Sequence, residues 1–315
     1  MKRLNALAAL AVLATRPVGA QTPTQTTIRV ASNASDDVTP LLYAKKTGMF
    51  AAAGLDVELT RMNSGAAVSA GVLGGSIDIG KSSVVTLIAA HARGLPIEIV
   101  APGALWISTA PIAGLLVKKD GPVMSARDLV GKTVVVAALG DLNDISTRAW
   151  VDQNGGDSRA VHFLEVPGSA ALAALVAGRV DGVNIGNPEF STMLSSGQVR
   201  LLGHPDDAIA KRFLVSAYFA SSTYVAQNAT AVTNFARVLR AAASYTNTHP
   251  AETLPITAEF WGIEPAVLAS MARDTIGLSV DPREIQPLID TTVKYAEIGL
   301  TFDAREMISR IVQTR

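Results

Sequence analysis

The chain has 315 residues, 27 basic and 27 acidic side chains, 49% hydrophobic residues and no cysteine. This length suffices for two units that each bury a core, and the apolar content is that of a folded globular protein. The lack of cysteine excludes disulfides, a thiol nucleophile, a thiolate metal site and a lipid-anchored cysteine. The balanced charge lacks the basic excess that nucleic-acid binding requires.

The N-terminal residues have the pattern of a secretion signal. Two basic residues precede an apolar run over 4–13, and small residues occupy positions 18–20. The pattern predicts a signal peptide over residues 1–20, cleaved near Ala20, with a buried N-terminal helix as the alternative. No later segment reaches the roughly 20 apolar residues of a membrane-spanning helix. We therefore expect a periplasmic protein that does not insert into the membrane, with free secretion as the alternative.

The next third of the chain alternates short apolar strands with helices. Thr39 as N-cap and Pro40 at the first helical position start a helix that Gly54 ends. Such alternation predicts a parallel sheet with helices packed on it. The predicted strands are 28–31, 55–59, 77–79, 97–101 and 114–118, and the predicted helices are 39–54, 66–73 and 83–92.

A second set of alternating elements begins after Pro122, where Ser125 and Asp128 form a capping-box pattern. Its strands are predicted at 133–137, 161–165 and 182–185. The remaining chain is mostly helical, and its apolar positions need a partner surface. We expect it to pack back on the first unit. Its predicted elements are a strand at 213–220, a helix at 230–246 and three helices that follow Pro250, Pro265 and Pro282.

Several short motifs, in their order and spacing, resemble one protein family. The motifs are PLLYAKKTGMF at 40–50, AGLDVE at 53–58, GSIDIG at 75–80, GLLV at 114–117, DLVGKTV at 128–134 and GRVD at 178–181. The chain resembles the nitrate/sulfonate/taurine-binding (SsuA/THI5-like, NMT1-like) solute-binding proteins of ATP-driven importers. Their superfamily also includes pyrimidine-precursor proteins. The resemblance covers nearly all of the chain after the leader.

The resemblance implies an α/β, two-lobed periplasmic-binding-protein fold (type II). Each lobe would be a mostly parallel sheet flanked by helices, and crossing hinge strands would join the lobes. Lobe one would comprise residues 28–115 plus 215–315, and lobe two the inserted residues 116–214. The implied protein is a monomeric component of an ABC importer. It would close its lobes on a small ligand and deliver it to the transporter's membrane subunits, with no cofactor, metal or catalytic residue.

Ligands of open parallel sheets lie beyond the carboxyl ends of the strands, where loops lead into helices. This rule selects loops in both predicted lobes, and their polar, glycine and aromatic residues are the candidate ligand contacts. The candidates are Ser35, Asp36, Asp37, Asn63, Ser64, Gly65, Lys81, Ser82, Ser83, Trp106, Leu139, Gly140, Asp141, Asn143, Gly168, Ser169, Asn187 and Glu189.

The charges among these candidates leave the ligand open. Hydroxyl and glycine residues before helices would favour an anion, although helix capping alone explains such serines equally well. Lys81 could pair with a carboxylate or sulfonate, whereas Asp36 and Asp37 would attract an amino group, and Trp106 could supply a flat apolar wall. We expect an anionic or zwitterionic ligand. Sulfonate, nitrate, taurine, aromatic carboxylate and pyrimidine all stay open.

Two other functions are weaker interpretations of the sequence. A pyrimidine-precursor enzyme of the same superfamily would need a cysteine-rich stretch, which this chain lacks, and the four histidines show neither metal-ligand spacing nor a triad pattern. A ligand-sensing transcription regulator would need a helix-turn-helix ahead of Ile28, where the sequence has only the leader and a polar linker.

Overall fold

The computed structural model describes residues 25–296, 298–299 and 301–313. The predicted signal peptide and its cleavage position lie outside them. The strands are β1 Thr26–Ser32, β2 Leu55–Arg61, β3 Ile79–Ser83, β4 Ile97–Pro102, β5 Ala104–Ile107, β6 Ala113–Lys118, β7 Thr133–Val136, β8 His162–Glu165, β9 Gly182–Gly186, β10 Val199–Gly203, β11 Arg212–Leu214, β12 Ser216–Ser221 and β13 Thr275–Ile276.

Helices connect most of these strands, and four of them follow β12 before the short β13 and the last two. None of the described helices is long and apolar enough to cross a membrane. The helices are α1 Thr39–Lys46, α2 Met49–Ala52, α3 Gly65–Leu73, α4 Val84–Ala92, α5 Leu142–Gln153, α6 Gly168–Val176, α7 Glu189–Ser195, α8 Ser222–Gln227, α9 Ala229–Thr246, α10 Pro250–Trp261, α11 Pro265–Ser270, α12 Gln286–Tyr295 and α13 Arg310–Gln313.

Two five-stranded sheets organise the fold. The first sheet has the order β2-β1-β3-β12-β4 and the second has the order β10-β6-β9-β7-β8. In the first sheet only β12 runs against its neighbours, and in the second only β6 does. The prediction of mostly parallel sheets flanked by helices is confirmed.

The chain passes between the two sheets twice. It enters the second sheet between β5 and β6, and it returns to the first between β10 and β12, with β5 and β11 paired in a small third sheet. The predicted crossing near Leu116 therefore lies inside β6, a few residues after the change of sheet. The lobe limits proposed from the sequence stay a prediction.

Several predicted elements differ from the structure. The helix expected over 39–54 is divided into α1 and α2, because Gly48 takes a left-handed conformation (φ 75°) between them. Thr39 is not the N-cap but the first residue of α1, and its hydroxyl donates to the carbonyl of Asp36. The strand expected over 213–220 is two strands that are interrupted at Val215.

The predicted strand at 77–79 begins only at Ile79, because Asp78 has another role. Its carboxylate accepts hydrogen bonds from the main-chain N–H of Arg29 (2.7 Å) and from the Arg29 guanidinium. Asp181 occupies the corresponding place in the second sheet and accepts from the N–H of Thr133 (3.0 Å). Both aspartates thus satisfy a donor on the neighbouring parallel strand.

Aromatic packing joins the long helix α9 to the first sheet. Phe235 of α9 stacks on Phe50 with ring centroids 5.5 Å apart and meets Tyr218 of β12 edge-on at 5.8 Å. All three side chains are buried. The C-terminal helical stretch therefore packs back on the first unit, as its apolar periodicity predicted.

We expect the Phe235→Ala variant to lose about 3–5 kcal/mol of the free energy of unfolding, since it removes a buried ring and leaves a cavity. Urea denaturation followed by circular dichroism measures the loss. Arg240→Ala, an exposed position of the same helix, is the control and should change stability little. Equal stability of both variants would show that this packing does not hold α9 in place.

Candidate functional site

A cavity of about 270 Å³ lies between loops of the two sheets. Its wall combines polar residues with an apolar side. The polar wall residues are Asn33, Ser35, Asp36, Asn143, Asn187, Asp206 and Asp274, and the others are Ala34, Ile112, Ala113, Leu142, Gly186, Val215 and Trp261. Such a mixture of an apolar wall with a few polar groups is typical of a small-molecule site.

The wall is built from strand ends and helix starts. Ser35 and Asp36 follow β1, Asn187 follows β9, and Asn143 lies in the first turn of α5. These positions are the carboxyl edges of the two sheets, where open α/β sheets bind ligands. The 3-10 turn Pro205–Ala208, which carries Asp206, follows β10 at the same edge of the second sheet.

Asp36 is held by the C-terminal part of the chain. The Nε of Arg273 donates to both carboxylate oxygens at 2.8 and 2.9 Å, and the main-chain N–H of Asp274 donates to one of them at 2.7 Å. Arg273 also donates to the carbonyl of Pro250. The charge of Asp36 is therefore neutralised inside the protein.

Asp37 forms a buried ion pair with Lys81 of β3, and both side chains are almost fully buried. The Asp37 carboxylate also accepts hydrogen bonds from the hydroxyls of Ser35 and Ser216, and Lys81 donates to Ser35 at 2.7 Å. Burial acts to raise the pKa of Asp37, but the Lys81 ammonium and these hydroxyls outweigh it and lower the pKa below its usual value.

Two further carboxyl groups at the cavity have raised pKa values. Burial raises the pKa of Asp206 to about 7, with Ser146 opposing the rise and Asp207 adding to it. Burial and the neighbouring carboxylates of Asp36 and Asp37 raise the pKa of Asp274 well above its ordinary value. Desolvation favours the neutral form of both acids. Lys81 and Arg273 partly oppose the rise for Asp274, but no described cation forms an ion pair with either acid.

The family model described as NMT1/THI5 like matches residues 35–253. The chain belongs to this family. The matched stretch contains both sheet-crossing segments and most of the cavity wall, while Trp261 and Asp274 lie beyond its end.

Relatives and solved structures agree with this assignment. A Brucella abortus protein that carries the name of a binding protein is 25% identical over 259 residues, 78% of this chain and 74% of the relative. The formylaminopyrimidine-binding protein of Halalkalibacterium halodurans is 29% identical over 143 residues, 45% of this chain and 42% of the relative. The periplasmic aliphatic sulphonate binding protein SsuA of Escherichia coli has a similar fold, with a TM-score of 0.76, 20% identity and coverage of 90% and 92%.

The structure brings four sequence-predicted residues of this NMT1/THI5-like protein together at the cavity, namely Ser35, Asp36, Asn143 and Asn187. The amide of Asn187 is already engaged: it accepts from Ser191 at 2.6 Å and donates to the carbonyl of Ala272 at 3.0 Å. Ser35 hydrogen-bonds the buried Asp37–Lys81 pair. Ligand contacts by these residues stay a prediction.

Asp141 and Ser83 meet from opposite sides of the fold. The hydroxyl of Ser83, at the end of β3, donates to the carboxylate of Asp141, the N-cap residue of α5, at 3.1 Å. Ser82 is buried next to Gly65, where any side chain would collide with its hydroxyl. These contacts link the predicted loops of the first sheet to the start of α5.

The other candidates lie outside the cavity wall. Ser64 caps α3 by accepting from the N–H of Ala67 at 3.2 Å, and Trp106 is fully buried with its Nε1–H donated to Asp207 at 3.0 Å. The remaining candidates outside the wall are Asn63, Gly65, Leu139, Gly140, Gly168, Ser169 and Glu189. A ligand contact by any candidate outside the wall is not supported by this cavity and stays a prediction.

Sequence reasoning missed Asp206, Trp261, Arg273 and Asp274. Asp206 could have been found from the segment VRLLG at 199–203, because Val199 and Leu201 alternate with Arg200 as in a strand, and this segment forms β10 and places the next loop at the same sheet edge. The other three belong to the helical C-terminal stretch, and no local pattern indicates that it reaches the cavity. Among the described residues, no group of histidines and carboxylates is arranged to hold a metal ion.

We expect Lys81→Met to cost about 3–5 kcal/mol of the free energy of unfolding, because it leaves Asp37 buried without its counter-charge. Urea denaturation at pH 7 measures the loss, with Lys119→Met at an exposed position as the control. The double variant Lys81→Met, Asp37→Leu should lose less than Lys81→Met alone. A larger loss in the double variant would contradict this account of the pair.

Asp206→Asn should stabilise the protein at pH 8 but not at pH 4. The pKa of Asp206 is raised to about 7 when folded, so between the unfolded value near 4 and pH 7 the folded state binds more protons, and stability falls as the pH rises. Asparagine does not titrate, so the variant avoids this loss of stability, which is on the order of 1 kcal/mol for each pH unit between the unfolded and the folded pKa of the aspartate. Melting temperatures of both proteins across pH 4–8 measure it; a constant difference would contradict the raised pKa.

Proposed function

We propose that this protein is the periplasmic solute-binding component of an ABC importer, which captures a small polar ligand between two lobes by hinge closure. The observation that carries the proposal is the cavity whose wall comes from both sheets, with Ser35 and Asp36 on one side and Asn143 and Asn187 on the other. Membership of the NMT1/THI5-like family and the binding-protein relatives support it.

Hydrogen bonds that connect the two halves near the cavity support the proposed closure. Ser83 bonds to Asp141, the hydroxyl of Tyr295 donates to Asp152 at 2.9 Å, and Asn187 donates to the carbonyl of Ala272. Two hinge segments, 108–112 and 204–211, would allow the halves to separate and break these bonds. A ligand that contacts both halves would then favour the closed form by its additional interactions.

We propose that the ligand leaves unchanged. Ser35, Asp36 and Asn187 of the cavity wall are engaged in ion pairs and hydrogen bonds within the protein, which suits holding a ligand rather than attacking it. A pyrimidine ligand is the second possibility, since one relative carries the name of a formylaminopyrimidine-binding protein. Sulfonate, nitrate, taurine and aromatic carboxylates also stay open.

The proposed cellular setting follows from the same function. The signal peptide would be removed after Ala20 in the course of export, and the mature monomer would deliver its ligand to the membrane subunits of the transporter. Small-angle scattering and thermal-shift screening of the mature protein test the proposal. A binder should raise the melting temperature and reduce the radius of gyration, and it should be recovered unaltered. An unchanged shape with every compound, or a converted compound, would refute it.

Ser83→Ala should weaken binding of any such ligand by up to about tenfold, because the closed form loses one hydrogen bond worth about 0.5–1.5 kcal/mol. Calorimetric titration measures the dissociation constant. Ser244→Ala, at an exposed position of α9, is the control and should bind like the parent. Identical affinity of all three proteins would show that the contact between Ser83 and Asp141 does not contribute to closure.

A further inference from the structure

Two of the carboxyl groups around the cavity form no ion pair with any described residue. Four carboxylates surround it, and two cations reach them. Arg273 neutralises Asp36, and Lys81 neutralises Asp37 behind the wall. Among the described residues that line the cavity there is no lysine, arginine or histidine. Two carboxylates are therefore left over, those of Asp206 and Asp274.

Asp206 has a buried oxygen with no partner. The residue is only 3% exposed, and its Oδ1 makes no hydrogen bond within the described part of the protein. Buried polar atoms in folded proteins are nearly always hydrogen-bonded, because an unpaired one costs the desolvation energy of the group. Since Asp206 lines the cavity, a donor on the ligand can supply the missing bond.

Asp274 presents a second free acceptor to the same cavity. Its main-chain N–H is bonded to Asp36, but among the described residues none donates a hydrogen bond or an ion pair to its carboxylate. Burial and the charges of Asp36 and Asp37 raise its pKa, and the charges of Lys81 and Arg273 oppose this rise without outweighing it. A cation in the cavity would lower the pKa of both Asp206 and Asp274.

One feature of the wall could favour an anion instead. Leu142 and Asn143 are the first residues of α5, and a helix N-terminus attracts negative charge. Two carboxylates of the protein already lie at that helix start. Asp141 is the N-cap residue, and its carboxylate accepts from Ser83. Asp144, in the first turn, accepts from the N–H of Gly140 at 2.8 Å and forms an ion pair with Arg148.

We infer that the ligand carries a protonated amine, amidine or similar cationic donor group, which Asp206 and Asp274 hold. This inference rests on the proposed solute-binding function and names its ligand class. Trp261, Ile112 and Leu142 form the apolar side of the wall. The indole of Trp261 can cover a flat or cationic body by cation–π contact. Zwitterions with an amino group fit the site, and plain anions do not.

Probe pairs in which a cationic group replaces an anionic one, or in which an ammonium is added, test this inference. The pairs are benzamidine and benzoate, putrescine and succinate, and taurine and ethanesulfonate. Each is titrated into the mature protein by calorimetry at pH 7.5, with scattering on the same samples. In every pair that binds, the amine-bearing member should bind at least tenfold more tightly.

Isosteric variants locate the contact. Asp206→Asn and Asp274→Asn keep the shape of the side chain and remove its charge. Each should weaken binding of the amine-bearing probe at least tenfold. Asp56→Asn, at an exposed position of β2, is the matched control and should bind like the parent. Melting curves verify that the variants are folded. If a variant does not fold, the comparison of probe pairs on the parent protein tests the inference instead.

The outcomes separate the inference from the function on which it rests. Tighter binding of benzoate, succinate or ethanesulfonate than of its partner, with closure in scattering, would overturn the cationic ligand and leave the solute-binding function in place. Full affinity in both aspartate variants would do the same. Absence of binding by every probe, with an unchanged shape, would count against the solute-binding function and the inference together.

Discussion

The structure depends on how its buried carboxylates are compensated. Moving a charged group out of water costs several kcal/mol, so a buried acid needs a cation, several donors or a proton. Asp37 obtains the cation and the donors: Lys81 of β3, Ser216 of β12 and Ser35 of its own loop all bond to it. This cluster therefore joins the loop after β1 to two neighbouring strands of the first sheet.

Asp36 makes the corresponding connection to the C-terminal part of the chain. Its bonds to Arg273 and to the main chain of Asp274 place a distant segment at the edge of the first sheet. The cavity wall acquires Asp274 in this way. The two adjacent aspartates thus have different partners, and together they determine which chain segments meet at the site. Among the described residues at the cavity, Asp206 and Asp274 are the acids that form no ion pair with a cation.

Much of the architecture could be predicted from local pattern. Alternation of apolar strands and helices gave the order of elements around both sheets, and the motifs over 40–58 and 128–134 indicated the family. The predicted bounds of strands and helices were wrong where a single residue bonds to another element or takes an unusual backbone conformation. Asp78 satisfies a donor of β1 instead of continuing a strand, and Gly48 divides a helix whose apolar positions look continuous. Neither role is visible in residue spacing.

By itself the sequence determined the fold class, the family and the loops at the sheet edges, because these follow from periodicity and short motifs that act within a few residues. Only the tertiary structure decided which charges face each other. Lys81, which the sequence offers as a ligand contact, forms a buried ion pair with Asp37. Of the two tryptophans, Trp106 is fully buried and Trp261 lines the cavity. Whether a carboxylate is paired or unpaired depends on groups that lie 44 to 237 residues away along the chain, and residue spacing does not indicate which of these groups meet.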